Sequence, residues 1–157
     1  MKKIVYKFIF CLIIFSTIGC FNDGANLYLK DIAIGTGFRN ITEAKTLFYF
    51  NNLTGWDSSG PLYYVLDYSD VDDNIRLTNT TSKERFFLSG RDSNFESIVE
   101  SFVLEKLSGK YDNFEEKYKI DWTQPYMYYS ANEEYVGTAM IYYKETELMY
   151  VLSYIVG

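Results

Sequence analysis

The sequence predicts an α+β domain: a mostly antiparallel sheet, one main amphipathic helix over about residues 93–108 packed across it, and a C-terminal β-hairpin. Three observations carry that expectation. In residues 93–108, Phe95, Ile98, Val99, Phe102, Val103 and Leu107 recur at helical spacing on one face. Residues 135–143 and 148–156 are aromatic and apolar arms around the polar stretch Lys144-Glu145-Thr146-Glu147, a hairpin pattern. Residues 62–68, Leu-Tyr-Tyr-Val-Leu-Asp-Tyr, favour a strand almost throughout.

The remaining elements follow in chain order. Residues 27–34 alternate loosely and read as a strand, with Gly35-Thr36-Gly37 as a turn. Residues 40–50 carry two signals: Thr42-Glu43-Ala44-Lys45 starts like a helix, whereas Leu47-Phe48-Tyr49-Phe50 prefers a strand. Gly55, Gly60 and Pro61 mark a loop over residues 51–61. Residues 69–74 form an acidic turn, and residues 75–78 and 84–88 read as short strands. For the main helix, Ser93 and Glu96 make a Ser-x-x-Glu capping box, and Gly109 stands where a C-terminal cap is expected. Residues 114–121 read as extended, residues 122–125 as a break, and Pro125-Tyr126-Met127-Tyr128-Tyr129 as the start of a strand.

Composition excludes several chemistries. The 157 residues contain no His, which removes Ser-His-Asp and Cys-His catalysis and His-based zinc or iron sites. The net charge of -6 argues against nucleic acid, whose phosphates need clustered Lys and Arg. No cofactor is expected.

The first twenty residues read as an address. Lys2, Lys3 and Lys7 precede an uncharged apolar stretch over residues 8–18, the n-region and h-region of a secretory signal peptide. About 11 apolar residues fall short of the roughly 20 a membrane helix needs. Ser16-Thr17-Ile18-Gly19-Cys20 then resembles the lipobox of bacterial lipoproteins. The resemblance implies cleavage after Gly19, diacylglyceryl modification and N-acylation (palmitate) of Cys20, and a lipid-anchored place in the bacterial cell envelope, outside the cytoplasm. On that reading residues 1–19 are signal peptide, residues 20–26 the lipidated Cys and a short tether, and residues 27–157 one globular domain. The mature chain would keep 12 basic and 21 acidic residues, a net charge of -9, and Cys20 as its only cysteine, with its sulfur alkylated and no free thiol left. The six-residue tether reaches at most about 20 Å, holding the domain near the bilayer.

In the second half a helix leads into strands, the last of which read Gly137-Thr138-Ala139-Met140-Ile141-Tyr142-Tyr143 and then residues 148–155, and this arrangement resembles the PsbP-like fold; in the first half, residues 48–56 resemble that family's strand ending in Gly-Trp. Thr54 stands where that family has Pro. The family consists mostly of non-catalytic adaptors, so the resemblance implies binding.

Few constellations could carry chemistry. Asp70-Val71-Asp72-Asp73-Asn74 begins like a calcium loop, giving Asp70, Asp72 and Asn74 as the weak metal candidates. Position six is Ile75 and position twelve Thr81 instead of Gly and Glu. A solvated turn explains the run, and no metal is expected. Gly35-Thr36-Gly37-Phe38-Arg39-Asn40 lacks the third glycine of a dinucleotide loop. The Asn-x-Thr triplets at Asn40, Asn52 and Asn79 carry no meaning in a bacterium. Carboxylates near aromatic residues (Asp57, Asp121, Glu133 and Glu134) are the one general acid/base option.

Tyrosine is the compositional excess, with 16 residues and the doublets Tyr63-Tyr64, Tyr128-Tyr129 and Tyr142-Tyr143. A doublet on a strand puts one ring on each face. The rings are either ordinary sheet packing or, on the face away from the helix, a binding surface. The expected function is therefore a membrane-anchored lipoprotein with a non-catalytic binding or envelope-assembly domain, meeting a protein or glycan partner. The alternatives are a small carboxylate hydrolase acting on envelope glycans, or an inhibitor or immunity protein for a basic target.

Overall fold

The computed structural model describes residues 27–53, 59–72, 87–132 and 136–155. It is an α+β fold with a six-stranded sheet in the order β1-β2-β6-β5-β4-β3, every neighbouring pair antiparallel. The strands are β1 (Lys45–Asn51), β2 (Gly60–Asp67), β3 (Leu88–Ser89), β4 (Met127–Asn132), β5 (Val136–Tyr143) and β6 (Leu148–Ile155). The hairpin read from the sequence is β5–β6, paired from Val136↔Ile155 to Tyr143↔Leu148.

Residues 27–36 are helical (α1), which corrects the strand expected there. Leu29, Ile32, Ala33 and Thr36 are buried while Lys30, Asp31 and Ile34 are exposed, a spacing of three and four that fits a helix and defeats alternation. Thr36 closes α1 by bonding back to the Ile32 carbonyl at 2.7 Å. A 3₁₀ turn, Arg39–Thr42, then leads into β1, so the helix signal after Asn40 amounts to one turn. In β1 the register slips between Thr46 and Phe48, leaving Leu47 as an extra residue.

The main helix also differs in detail. It is α-helical over Ser93–Phe102 (α2) and continues as a π-helical turn over Val103–Leu107. The wider turn delays the stripe by about one residue. It buries Leu107 and leaves Lys106 outside, with its ammonium 4.8 Å from the centre of the Tyr154 ring. The segment ends at Ser108 and Gly109, both at positive φ. The stretch expected to be extended before Asp121 instead contains a 3₁₀ turn, Glu116–Tyr118, preceded by another at Tyr111–Asn113. Gly60 is fixed by space: a Cβ there would stand 2.5 Å from the Asn52 carbonyl oxygen.

Both faces of the sheet are covered. On one, α1 and the 3₁₀ turn pack Leu29, Ile32, Phe38 and Ile41 against Leu62, Tyr64, Leu66, Met140, Tyr142 and Val151. On the other, Phe95, Val99 and Leu107 pack against Tyr63, Val65, Ile141, Tyr143, Tyr150 and Leu152. Strand β2 is accordingly buried from Gly60 to Leu66 without alternation.

The irregular chain between α2 and β4 completes that second layer, and it explains many of the tyrosines. A covering segment without regular structure has carbonyls that its own backbone does not satisfy. The hydroxyls of Tyr63, Tyr143 and Tyr150 donate to the carbonyls of Tyr118, Asp121 and Lys117, at 2.7, 3.0 and 3.4 Å. The Tyr111 hydroxyl accepts the Ile120 N–H at 2.7 Å. Phenylalanine would fill the same space without these hydrogen bonds; the Asp121 carbonyl would still accept the Gln124 N–H at 3.2 Å.

Candidate functional site

The doublets do place one ring on each face, but neither face is open. Tyr63, Tyr64, Tyr129, Tyr142 and Tyr143 are buried and Tyr128 is half-buried. This corrects the outward tyrosine surface: α1 occupies the face that was expected to be bare. Of the six rings, Tyr142 borders the open cleft described below, and Tyr128 holds the helix beside it.

That cleft, of about 430 Å³, lies where three segments meet: the β3–α2 link, the approach to β4, and the end of β5. Antiparallel pairing of Met127 with Tyr142 brings the last two together. Tyr126, Met127 and Tyr142 contribute its apolar lining, Thr123 and Gln124 its polar lining, and Arg91 and Lys144 its charge. Among the described residues no acidic side chain lines it.

The start of α2 is built around it. Asp92, and not Ser93, is the N-cap, correcting the expected capping box. Its Oδ1 accepts the backbone N–H groups of Asn94 and Phe95 at 2.9 and 3.1 Å, and its Oδ2 accepts the Tyr128 hydroxyl at 2.6 Å. The Asp92 N–H donates to the Tyr126 hydroxyl at 3.2 Å, which donates to Glu96 Oε1 at 2.8 Å. Glu96 thus performs the reciprocal half of a capping box through an interposed phenol. Arg91 closes the network from outside, with Nε and Nη2 on the two Glu96 oxygens at 3.0 and 3.3 Å.

Nearby, Asp121 arranges the turn that lines the cleft. Its Oδ1 accepts the Thr123 N–H and hydroxyl, and its Oδ2 accepts the Gln124 amide at 2.8 Å. Donated hydrogen bonds hold all three carboxyls below the usual carboxylate range: Asp92 chiefly through Tyr128, Glu96 chiefly through Arg91, and Asp121 chiefly through Thr123. Tyr128 is raised in turn by facing the Asp92 carboxylate.

Of the other sequence candidates, Asp70 and Asp72 lie after β2, while Asn74, Asp57, Glu133, Glu134 and Cys20 lie outside the described residues. Trp122 packs against Tyr126 and Phe95, with ring centres 5.4 and 6.5 Å apart. A second, apolar groove of about 350 Å³ separates Ile98 and Phe102 of α2 from Ala131, Ala139 and Tyr154 of the sheet.

Arg91, Tyr126 and Lys144 were not legible as a site. They are separated by up to 53 positions, and only strand pairing unites them. The available hint was local: Arg91 and Asp92 immediately precede a strong helix start. The chain matches no protein-family model, no curated protein and no solved structure.

Proposed function

We propose that this protein is a lipid-anchored component of the bacterial envelope, held through Cys20, whose domain is a non-catalytic binding module using the cleft beside α2. The observation that carries the reading is the N-terminal pattern: three lysines, an apolar run over residues 8–18, then Gly19-Cys20. The chemistry of the cleft favours binding over hydrolysis. A carboxylate-dependent hydrolase needs one carboxyl kept protonated as general acid. Asp92, Glu96 and Asp121 are all shifted the opposite way, and each accepts three hydrogen bonds. The resemblance of the second half to non-catalytic PsbP-like proteins points in the same direction.

Metabolic labelling with an alkyne fatty acid tests the anchor. Wild type should incorporate label and fractionate with membranes, and Cys20→Ala should lose the label. Equal labelling of both proteins overturns the assignment.

A further inference from the structure

We propose that the cleft beside α2 takes a small organic anion, its acid group meeting Arg91 and Lys144 and its apolar body lying against Tyr126, Met127 and Tyr142. The proposal rests on the reading of this domain as a binding module and names the class of its ligand.

A concavity of about 430 Å³ has the size and largely apolar lining of small-molecule sites. Its charge runs against the rest of the chain. With 21 acidic and 15 basic residues, the chain nevertheless lines this cleft with two cations, and with no acid among the described residues.

The cation at the α2 end is held in place. Glu96 takes Nε and Nη2 of Arg91, and Tyr126 fixes Glu96 from behind. The Glu96 side chain is 17% exposed and that of Arg91 69%, so the carboxylate is the anchor and the guanidinium the outward group. Of five guanidinium donors, the two on Nη1 are not used by Glu96. An anchored guanidinium with donors to spare is the arrangement that recognises a carboxylate or phosphate.

The second cation, Lys144, is exposed in the β5–β6 turn and makes no ion pair among the described residues. Asp92 and Asp121 do not line the cleft; their oxygens accept from donors on their own segments and on β4.

The test uses the full chain in detergent micelles, with benzoate, phenyl phosphate and inorganic phosphate as probes and benzamide as the neutral control. Backbone amide shifts near residues 123–127 report binding. Benzoate or phenyl phosphate should shift them saturably, with benzamide about tenfold weaker or worse, and added salt should weaken the effect. Inorganic phosphate should bind more weakly than phenyl phosphate because it lacks the apolar body. Lys144→Gln should weaken benzoate several-fold, and Lys144→Glu should abolish its binding, both at unchanged melting temperature. Arg91→Gln should do the same unless it disturbs the helix start, which the Lys144 variants do not touch. If benzamide binds as tightly as benzoate and Lys144→Glu is silent, the anion assignment is overturned while the cleft remains a binding site. If no probe shifts these amides, the binding role of the cleft falls as well.

Discussion

The Tyr126 hydroxyl donates to Glu96 at 2.8 Å while accepting the Asp92 backbone N–H at 3.2 Å, so one phenol ties the first turn of α2 to the start of β4. The Asp92 N–H precedes the helix and finds no intrahelical carbonyl, so the phenol supplies its acceptor. Tyr126→Phe should keep the ring packing and lose both bonds. The expected result is a lower urea midpoint, with faster hydrogen exchange confined to the first turn of α2. An unchanged exchange pattern would show the phenol to be dispensable.

The tyrosine hydroxyls that reach the irregular segment make a sharper prediction. Tyr63 is fully buried and donates to the Tyr118 carbonyl at 2.7 Å. Tyr63→Phe strands that carbonyl and should cost about 1–3 kcal/mol. Chemical denaturation measures it. A loss below the error of the method would mean that shape, and not hydrogen bonding, accounts for this tyrosine.

Packing of α2 separates two neighbours on one helix. Phe95 is 3% exposed, its ring tilted against that of Tyr128 with centres 4.4 Å apart, whereas Ile98 is 61% exposed. Phe95→Ala should cost about 3–5 kcal/mol through the cavity it leaves. Ile98→Ala should stay within roughly 0.5 kcal/mol. Comparable losses in both variants would contradict the orientation of the helix.

Titration should show two edges. Asp92, Glu96 and Asp121 are lowered in the fold, so their stabilisation is present above the unfolded values of about 3.9–4.3 and is lost as pH falls through the folded values. At the other end, burial raises Tyr63 and Tyr143 strongly and Tyr150 to about 12. Their stabilisation is complete below about pH 10 and is lost as pH rises through the folded values. Absorbance near 295 nm should therefore show exposed tyrosines ionising first and buried ones only as near-ultraviolet dichroism collapses. Ionisation of every tyrosine near pH 10 with the fold intact would refute the burial.

The antiparallel sheet, the closing hairpin and the main helix were legible because each is a local pattern. β2, β5 and β6 are stretches dominated by aromatic and aliphatic residues, and α2 repeats Phe95, Val99 and Phe102 at helical spacing. The largest error has one source. Leu29, Ile32 and Ala33 sit in a short stretch that alternates loosely enough to pass for a strand. Reading it so removed α1, left one sheet face bare, and turned Tyr64, Tyr129 and Tyr142 from core residues into a supposed binding surface. The π turn escaped because the four-residue step from Val103 to Leu107 is itself an ordinary helical spacing and does not reveal how the backbone makes it. The cleft escaped for a different reason: Arg91 and Lys144 have no sequence relationship, and only the β3–β4 and β4–β5 pairings taken together bring their segments to one place.

The central claim is attachment to the envelope through Cys20, and the N-terminal peptide of the protein purified from bacterial membranes tests it most directly. Intact-mass and fragment analysis should find Cys20 as the first residue, carrying a thioether-linked diacylglyceryl group and an amide-linked acyl chain. A mature N-terminus elsewhere, or an unmodified Cys20 thiol, would contradict the account.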